Sequence, residues 1–118
     1  MTGAVTYEHF VLKLDGNGNF LWAKNFSGGY DHVSMDVDGN GNVFTTGEFS
    51  GTVDFDPGAS AYNLTSTGPN NIFILKLNTS GNFVWARNMG GNSQNQYSED
   101  IVLDSSSNVY TTGLFSGL

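Results

Sequence analysis

The feature that most constrains the fold of this chain is an internal repeat. Residues 10–26 read FVLKLDGNGNFLWAKNF and residues 73–89 read FILKLNTSGNFVWARNM, with 10 of 17 positions identical at an offset of 63. Residues 37–51 read VDGNGNVFTTGEFSG and residues 103–117 read LDSSSNVYTTGLFSG, with 9 of 15 positions identical at an offset of 66. Two copies of two blocks indicate a chain built from recurring units that bury their apolar surfaces against one another.

Each block has the pattern of a β-hairpin. In the first block, Phe10, Leu12 and Leu14 alternate with Val11 and Lys13. This period of two places large apolar side chains on one face of a strand. The segment DGNGN that follows is rich in residues that tolerate positive φ, as tight β-turns require. The second block repeats the arrangement, so the sequence predicts pairs of antiparallel strands throughout.

Four antiparallel strands that recur along a chain are typical of the blades of a β-propeller. The sequence therefore predicts an all-β fold with about two blade equivalents. We expect a half blade in residues 1–29, a complete blade in residues 30–91 and a second half blade in residues 92–118. The complete blade carries an insertion, TVDFDPGASAYNLTSTGPNN, which predicts an extra short hairpin that turns at DPG.

Two stretches of the chain resemble a known family. The segments DGNGNVFTTGEFSGTVDFDPG and NNIFILKLNTSGNFVWARNMGG are similar to the bacterial SBBP-type β-propeller repeat, and the resemblance covers nearly the whole chain. It implies a propeller fold and an extracellular or cell-surface setting, and it implies no reaction. Members of this family usually supply a full ring in one polypeptide, whereas this chain holds two blade equivalents.

The repeat alignment also predicts self-association. Leu118 corresponds to Thr52 and Thr2 corresponds to Thr65, so both ends fall within the same inserted loop. We expect the half blade of one copy to complete that of the next, in a heterologous contact that closes into a ring. Since propellers have ~4–8 blades, the expected assemblies are a homotrimer of six blades or a homotetramer of eight. A further protein or glycan ligand is left open.

Composition excludes several classes of partner and chemistry. The formal net charge is −7, which argues against a nucleic-acid-binding surface. The chain has no cysteine, so disulfides and thiol chemistry are excluded. No stretch approaches the ~18 apolar residues of a membrane-spanning helix, so no membrane insertion is expected.

The four basic residues occupy repeated positions. Lys13 matches Lys76 and Lys24 matches Arg87, each pair 63 residues apart. A ligand site would place a charge singly, so we expect these side chains to cover apolar surface with their stems and to meet carboxylates with their heads.

The repeated motif FLWAKN/FVWARN supplies the residues expected to pack one repeat against the next. These six positions are Trp22, Trp85, Phe20, Phe83, Lys24 and Arg87. A tryptophan buried between blades keeps its indole N–H within reach of a polar partner at the edge. The alternative is that the tryptophans form a platform for carbohydrate, as in a lectin.

One segment resembles a calcium-binding loop. Asp36, Asp38, Asn40 and Asn42 alternate in DVDGNGN, which approaches the D-x-D-x-[DN]-G pattern, but no glutamate closes the site. The internal copy has Val102 in place of Asp36 and keeps the oxygen-rich turn. This relaxation favours a turn over a metal site, and no cofactor is expected.

A second acidic pair lies in the insertion. Asp54 and Asp56 share one side of a predicted strand, and paired carboxylates ~5–9 Å apart carry out glycoside hydrolysis. Turn chemistry favours a structural role for Asp56 before Pro57, with Asp54 solvated. The sequence therefore predicts a non-enzymatic scaffold with no catalytic residue, with a lectin as the alternative and a glycoside hydrolase as the least favoured candidate.

Overall fold

The computed structural model describes residues 7–92 and 94–116, and within these ranges the chain is all-β, without a helix. The strands are β1 His9–Leu14, β2 Phe20–Phe26, β3 Gly29–Val37, β4 Val43–Ser50, β5 Thr52–Asp54, β6 Asn63–Thr65, β7 Asn71–Leu77, β8 Phe83–Met89, β9 Tyr97–Leu103 and β10 Val109–Leu114. The predicted all-β class with antiparallel pairing is confirmed. Thr2 and Leu118, the two ends of the repeat alignment, lie outside the described residues.

The strands form one four-stranded sheet and three hairpins. The four-stranded sheet has the order β3-β4-β7-β8, and β1-β2, β9-β10 and β5-β6 are separate antiparallel pairs. Both copies of the first sequence block thus form hairpins, β1-β2 and β7-β8, and both copies of the second form β3-β4 and β9-β10. The four-stranded sheet begins at Gly29, one residue before the expected boundary, and its interpretation as a blade stays a prediction.

The four-stranded sheet is covered on both faces. On one face, Val11 and Phe26 of β1-β2 join Phe73 and Leu75 in the main apolar core. On the other face, β9 packs on β3 and β4, where Ser98 contacts Thr46 at 3.0 Å between their hydroxyl oxygens. Since both faces of β4 are covered, all its residues from Val43 to Phe49 are buried. The order along the chain is therefore hairpin, sheet, hairpin, stacked face to face.

The insertion folds as the short hairpin that the sequence predicts. Thr52, Val53 and Asp54 pair with Thr65, Leu64 and Asn63 in antiparallel register. Phe55 follows β5 and is fully buried, with ring centroids 5.2 Å from Phe49 and 5.0 Å from Phe73. Burial of an aromatic side chain of this size contributes roughly 1.5–3 kcal/mol, so Phe55 ties the insertion to the core.

Candidate functional site

The candidate site is the contact between successive repeats, and Trp22 lies at its centre. The Trp22 indole donates a hydrogen bond to the main-chain oxygen of Thr79, in the β7-β8 turn, at 3.0 Å. The Lys13 ammonium donates to the same oxygen and to the Thr79 hydroxyl, each at 3.2 Å. A Cβ built on Gly81 would lie 2.9 Å from the Lys24 stem and 3.0 Å from the Trp22 ring, so this turn fits closely beneath both side chains.

The other residues of the repeated motif do not all lie in that contact. The Phe83 ring packs against the Tyr62 ring, tilted by 33°, with centroids 4.8 Å apart. Trp85 meets the edge of Phe44 at 6.1 Å, and the Arg87 guanidinium lies 5.8 Å from the Trp85 ring. Phe20 is exposed. The structure thus places Trp22 and Lys24 between repeats, whereas Trp85 and Arg87 lie on the opposite face of the four-stranded sheet.

The basic head groups do not meet carboxylates, and that expectation was wrong. Among the described residues, every ion pair involves His32. Lys13 donates to backbone and hydroxyl oxygens, Lys76 lies 5.1 Å above the Phe44 ring, and Arg87 donates to the Ala86 carbonyl. Sparse charge and abundant aromatic surface explain this, because a cation over a ring retains its favourable electrostatics without a carboxylate.

The second contact between repeats is polar. Glu48 on β4 is buried, and its Oε1 accepts a hydrogen bond from the Ser98 backbone N–H on β9. Asp36 Oδ2 accepts from the Leu103 backbone N–H at 3.0 Å. Hydrogen bonds to carboxylates are stronger than bonds between neutral groups, so these two bonds make the contact specific.

A cluster that sequence reasoning missed lies beside this contact. His32 Nδ1 is 2.7 Å from Glu48 Oε2 and 3.7 Å from Asp31 Oδ1. His32 adopts φ +45° at an irregularity in the β3–β4 register, which turns its ring toward Glu48. The hydrogen bond to Glu48, and then the negative charges of Glu48, Asp31 and Glu99, raise the pKa of His32. The three side chains are close enough to share an ion, and the short His32–Glu48 distance is that of a hydrogen bond.

His9 contrasts with His32, because it lies inside the main core. Its ring stacks on Phe26 with centroids 5.0 Å apart and lies 5.5 Å from the ring of Tyr30. Burial lowers the pKa of His9 to about 4, so the imidazole is neutral at physiological pH. The repeat equivalent of His9 is Ile72, which identifies this as an apolar position occupied by a neutral ring.

The suggested calcium residues belong to a turn. Asp38 Oδ1 accepts from the backbone N–H groups of Asn40 and Asn42 at 2.9 Å, and its Oδ2 accepts from the Asn42 amide. Asp104 makes the same three bonds in its own turn, to Ser106 and Asn108. These bonds lower the pKa of Asp38 to about 2.

Asp36, the remaining member of that set, directs its carboxylate to backbone N–H groups instead. Its Oδ1 accepts from Val37 and its Oδ2 from Leu103. The four residues therefore serve a turn and a contact between repeats. A calcium ion would have to compete for the same oxygens.

The acidic pair of the insertion also organises a loop. Asp54 Oδ1 accepts from the backbone N–H groups of Asp56 at 2.9 Å and Tyr62 at 2.8 Å, and Asp56 Oδ1 accepts from Gly58 at 2.8 Å. The turn role expected for Asp56 is present. Asp54 is exposed, as expected, and its carboxylate also closes the loop that leads to β6.

The outward faces of the two terminal hairpins carry exposed apolar side chains. We call Phe10, Leu12 and Leu14 the β1 outer face. Phe10 is 69% exposed, whereas its repeat equivalent Phe73 is 0% exposed. We call Val102, Tyr110 and Leu114 the β9-β10 outer face. Tyr110 is 57% exposed, whereas its equivalent Phe44 is 1% exposed. Each face thus has a buried counterpart in the four-stranded sheet.

No helix in the described residues is long and apolar enough to span a membrane. No protein-family model matches the sequence. The chain is 38% identical, over an alignment of 135 positions that covers 94% of it, to an uncharacterized WD repeat-containing protein of Acanthamoeba polyphaga mimivirus. The chain spans 10% of that relative's length. With the all-β fold, this similarity indicates a β-propeller-type repeat.

Proposed function

We propose that this chain is a non-enzymatic β-propeller segment of the SBBP type that serves as an assembly and interaction scaffold. Copies associate head to tail, and the terminal hairpins of neighbouring copies complete each other's blades. Because each copy supplies two blade equivalents, the closed assembly is a homotrimer of six blades or a homotetramer of eight.

The observation that carries this proposal is the contrast between equivalent residues of the two repeats. Phe73, Leu75 and Leu77 are fully buried beneath β1-β2, yet their equivalents on the β1 outer face are exposed. Exposed apolar patches of this kind are typical of interaction surfaces. The hairpin β1-β2 has the same residue pattern as β7-β8, which is covered within the chain. The outer face of β1-β2 is therefore best covered by a repeat from another copy.

The polar residues considered for chemistry support a scaffold rather than a catalyst. Asp54 and Asp56 are engaged by backbone N–H groups in one loop. Trp22, considered as part of a sugar platform, is engaged by the turn beneath it. The loops at the ends of the assembly remain the place for a protein or glycan ligand, as is usual in propellers.

Native mass spectrometry and light scattering on the purified 118-residue chain test the proposal. We expect a single species of three or four copies that dissociates on dilution. A chain that stays a folded monomer at all accessible concentrations would contradict self-assembly.

A matched pair of variants separates assembly from folding. Phe10→Ser with Leu12→Ser should give a folded monomer, because both side chains point away from the core of the single chain. Val84→Ser is the control. Val84 is exposed, and so is its repeat equivalent Leu21, so this position lies outside the contact and its variant should assemble normally.

A further inference from the structure

We infer that the β9-β10 hairpin of one copy inserts between β1 and β3 of the next, with β10 paired antiparallel to β1 in one defined register. The inference rests on the proposed self-assembly and specifies which residues of the two copies pair. It pairs Val109 with Leu14, Thr111 with Leu12 and Gly113 with Phe10.

A notch between β1 and β3 defines the first half of this interface. It contains cavities of about 340 Å³ and 200 Å³, lined by Phe10, Leu12 and Met35 among others. Met35 is 48% exposed, whereas its repeat equivalent Ile101 is 2% exposed beneath the four-stranded sheet. The notch therefore has two apolar walls. In the next repeat of the same chain, the equivalent space is filled by β4 and its neighbours, whereas here it is open.

The inserted hairpin must be apolar on the side that meets β3, and the β9-β10 outer face is. Within the chain, the equivalent positions carry the buried Glu48 and the hydrogen-bonded Asp36, which are matched by N–H groups of β9. In β9-β10 these positions carry Leu114 and Val102 instead, and both are exposed. Across the notch, Val33, Met35 and Val37 are exposed as well. Two apolar faces without polar partners complement each other.

The register follows from the pairing of β4 with β7 inside the chain. Val43 pairs with Leu77, Thr45 with Leu75 and Gly47 with Phe73. Among the described strands, β10 pairs only with β9 and β1 pairs only with β2, so each has one edge without a neighbouring strand.

Transferring the β4–β7 pairing by the repeat offsets gives the three pairs stated above. It also opposes Phe10 to Gly113. Inside the chain, the equivalent Phe73 ring lies 3.0 Å from a Cβ built on Gly47, so glycine leaves room there for the ring.

A second contact between copies follows from the way Trp22 packs on the β7-β8 turn. Trp22 and Lys24 cover Gly81, whereas a Cβ built on the equivalent Gly18 has nothing within 4 Å. The tryptophan at the matching position is Trp85, on the face of the four-stranded sheet that the next β1-β2 hairpin would cover. We therefore assign the Trp85 indole N–H to the main-chain oxygen of Gly16 in the neighbouring copy, as Trp22 donates to Thr79.

Cysteine cross-linking tests the register directly, because the chain has no cysteine of its own. Four single-cysteine variants are needed: Leu12→Cys, Leu14→Cys, Val109→Cys and Thr111→Cys. They are mixed in pairs, allowed to exchange subunits and oxidised, and covalent dimers are counted by non-reducing electrophoresis. Directly opposed Cα atoms in an antiparallel pair are ~4.5–5.5 Å apart, within the span of a disulfide, whereas diagonal neighbours are ~7–8 Å apart and beyond it.

We expect the pairs 12 with 111 and 14 with 109 to link at least tenfold more than the matched pairs 12 with 109 and 14 with 111. Equal linking of all four mixtures, or linking of the diagonal pairs, overturns the register. Dimers formed by Thr111→Cys alone would show that β10 pairs with itself and overturn the insertion.

Native mass spectrometry on the same samples keeps the two proposals apart. Oligomers of three or four copies that link in another register leave the proposed function intact. A sample that is monomeric and does not link refutes both.

Discussion

The Trp22 indole donates to the main-chain oxygen of Thr79 at 3.0 Å, which joins a strand of one repeat to the turn of the next. This bond explains why tryptophan and a basic residue recur together in the repeated motif. The ring covers Gly81, whose φ of +80° shapes the turn, and the Lys24 stem covers the same glycine. A repeat that carries both residues therefore holds its neighbour by a backbone contact that tolerates variation in the turn sequence.

The two tryptophans should respond differently to substitution. Trp22→Phe removes a hydrogen bond within the chain and should lower the free energy of unfolding by roughly 1–2 kcal/mol, measured by urea denaturation of the dilute chain. Trp85→Phe should change it by less than about 0.5 kcal/mol. It should instead raise the concentration at which the assembly dissociates in light scattering. Equal loss of monomer stability in both variants would contradict the assignment of Trp85 to the neighbouring copy.

His9 makes the stability of the chain fall with acid. Its pKa is about 4 when folded and 6.5 in its unperturbed state, so only the unfolded chain takes up the proton between these values. The contribution is complete above pH 6.5 and decreases as the pH falls, by about 2 kcal/mol at pH 5. His9→Ile introduces the residue found at the equivalent position, Ile72. This variant should lose this part of the pH dependence of the free energy of unfolding, measured by urea titrations at pH 7.5 and 5. A variant with the wild-type slope would show that the imidazole is protonated in the core.

His32 should titrate in the opposite sense. Its pKa is raised, so its contribution to stability is present below pH 6.5 and is lost as the pH rises through the folded value. Glu48→Gln keeps an acceptor for the Ser98 N–H and removes the charge, and should lower the pKa of His32 toward 6.5 in an NMR titration. Glu99→Gln is the control, because Glu99 is the last of the groups that raise this pKa, and its effect should be smaller. The reverse ranking would place the His32 ring away from Glu48.

The sequence predicted the hairpins because their information is local. Alternation of apolar residues, the DGNGN-type turns and the second copy of each block specify β1-β2 and β3-β4 without knowledge of the rest of the chain. The repeat also identified Trp22 and Lys24 as packing residues. It could not tell that Trp85 faces outward, because equivalent residues have the same sequence context and differ only in which neighbour lies over them.

The cluster of Asp31, His32 and Glu48 could not be predicted for a different physical reason. It joins residues of two strands through the φ of +45° at His32, which no residue pattern specifies. The available indication was the alignment of Glu48 with Leu114, since a glutamate and a leucine at equivalent positions imply a position covered in one copy and differently covered in the other. The head groups of Lys13 and Lys76 were misassigned because the groups that they meet, at Thr79 and Phe44, come from distant segments of the chain. Arg87 instead donates to the carbonyl of its neighbour Ala86.

The turn glycines allow a last test of how the repeats fit together. Gly81→Ala should lower the free energy of unfolding by roughly 1–2 kcal/mol, because φ +80° is strained for alanine and the new Cβ would crowd Lys24 and Trp22. Gly18→Ala has the same backbone strain at φ +85° with open space around it, and Gly16→Ala has neither. Urea denaturation of the dilute chain should therefore rank the losses as Gly81, then Gly18, then Gly16. If Gly18 and Gly81 lose the same stability in the dilute chain, the Trp22 contact adds nothing beyond the turn. The proposed packing of Trp85 on the β1-β2 turn of the neighbouring copy requires that Gly18→Ala also weakens the assembly. Light scattering should then show dissociation of this variant at concentrations where Gly16→Ala remains associated.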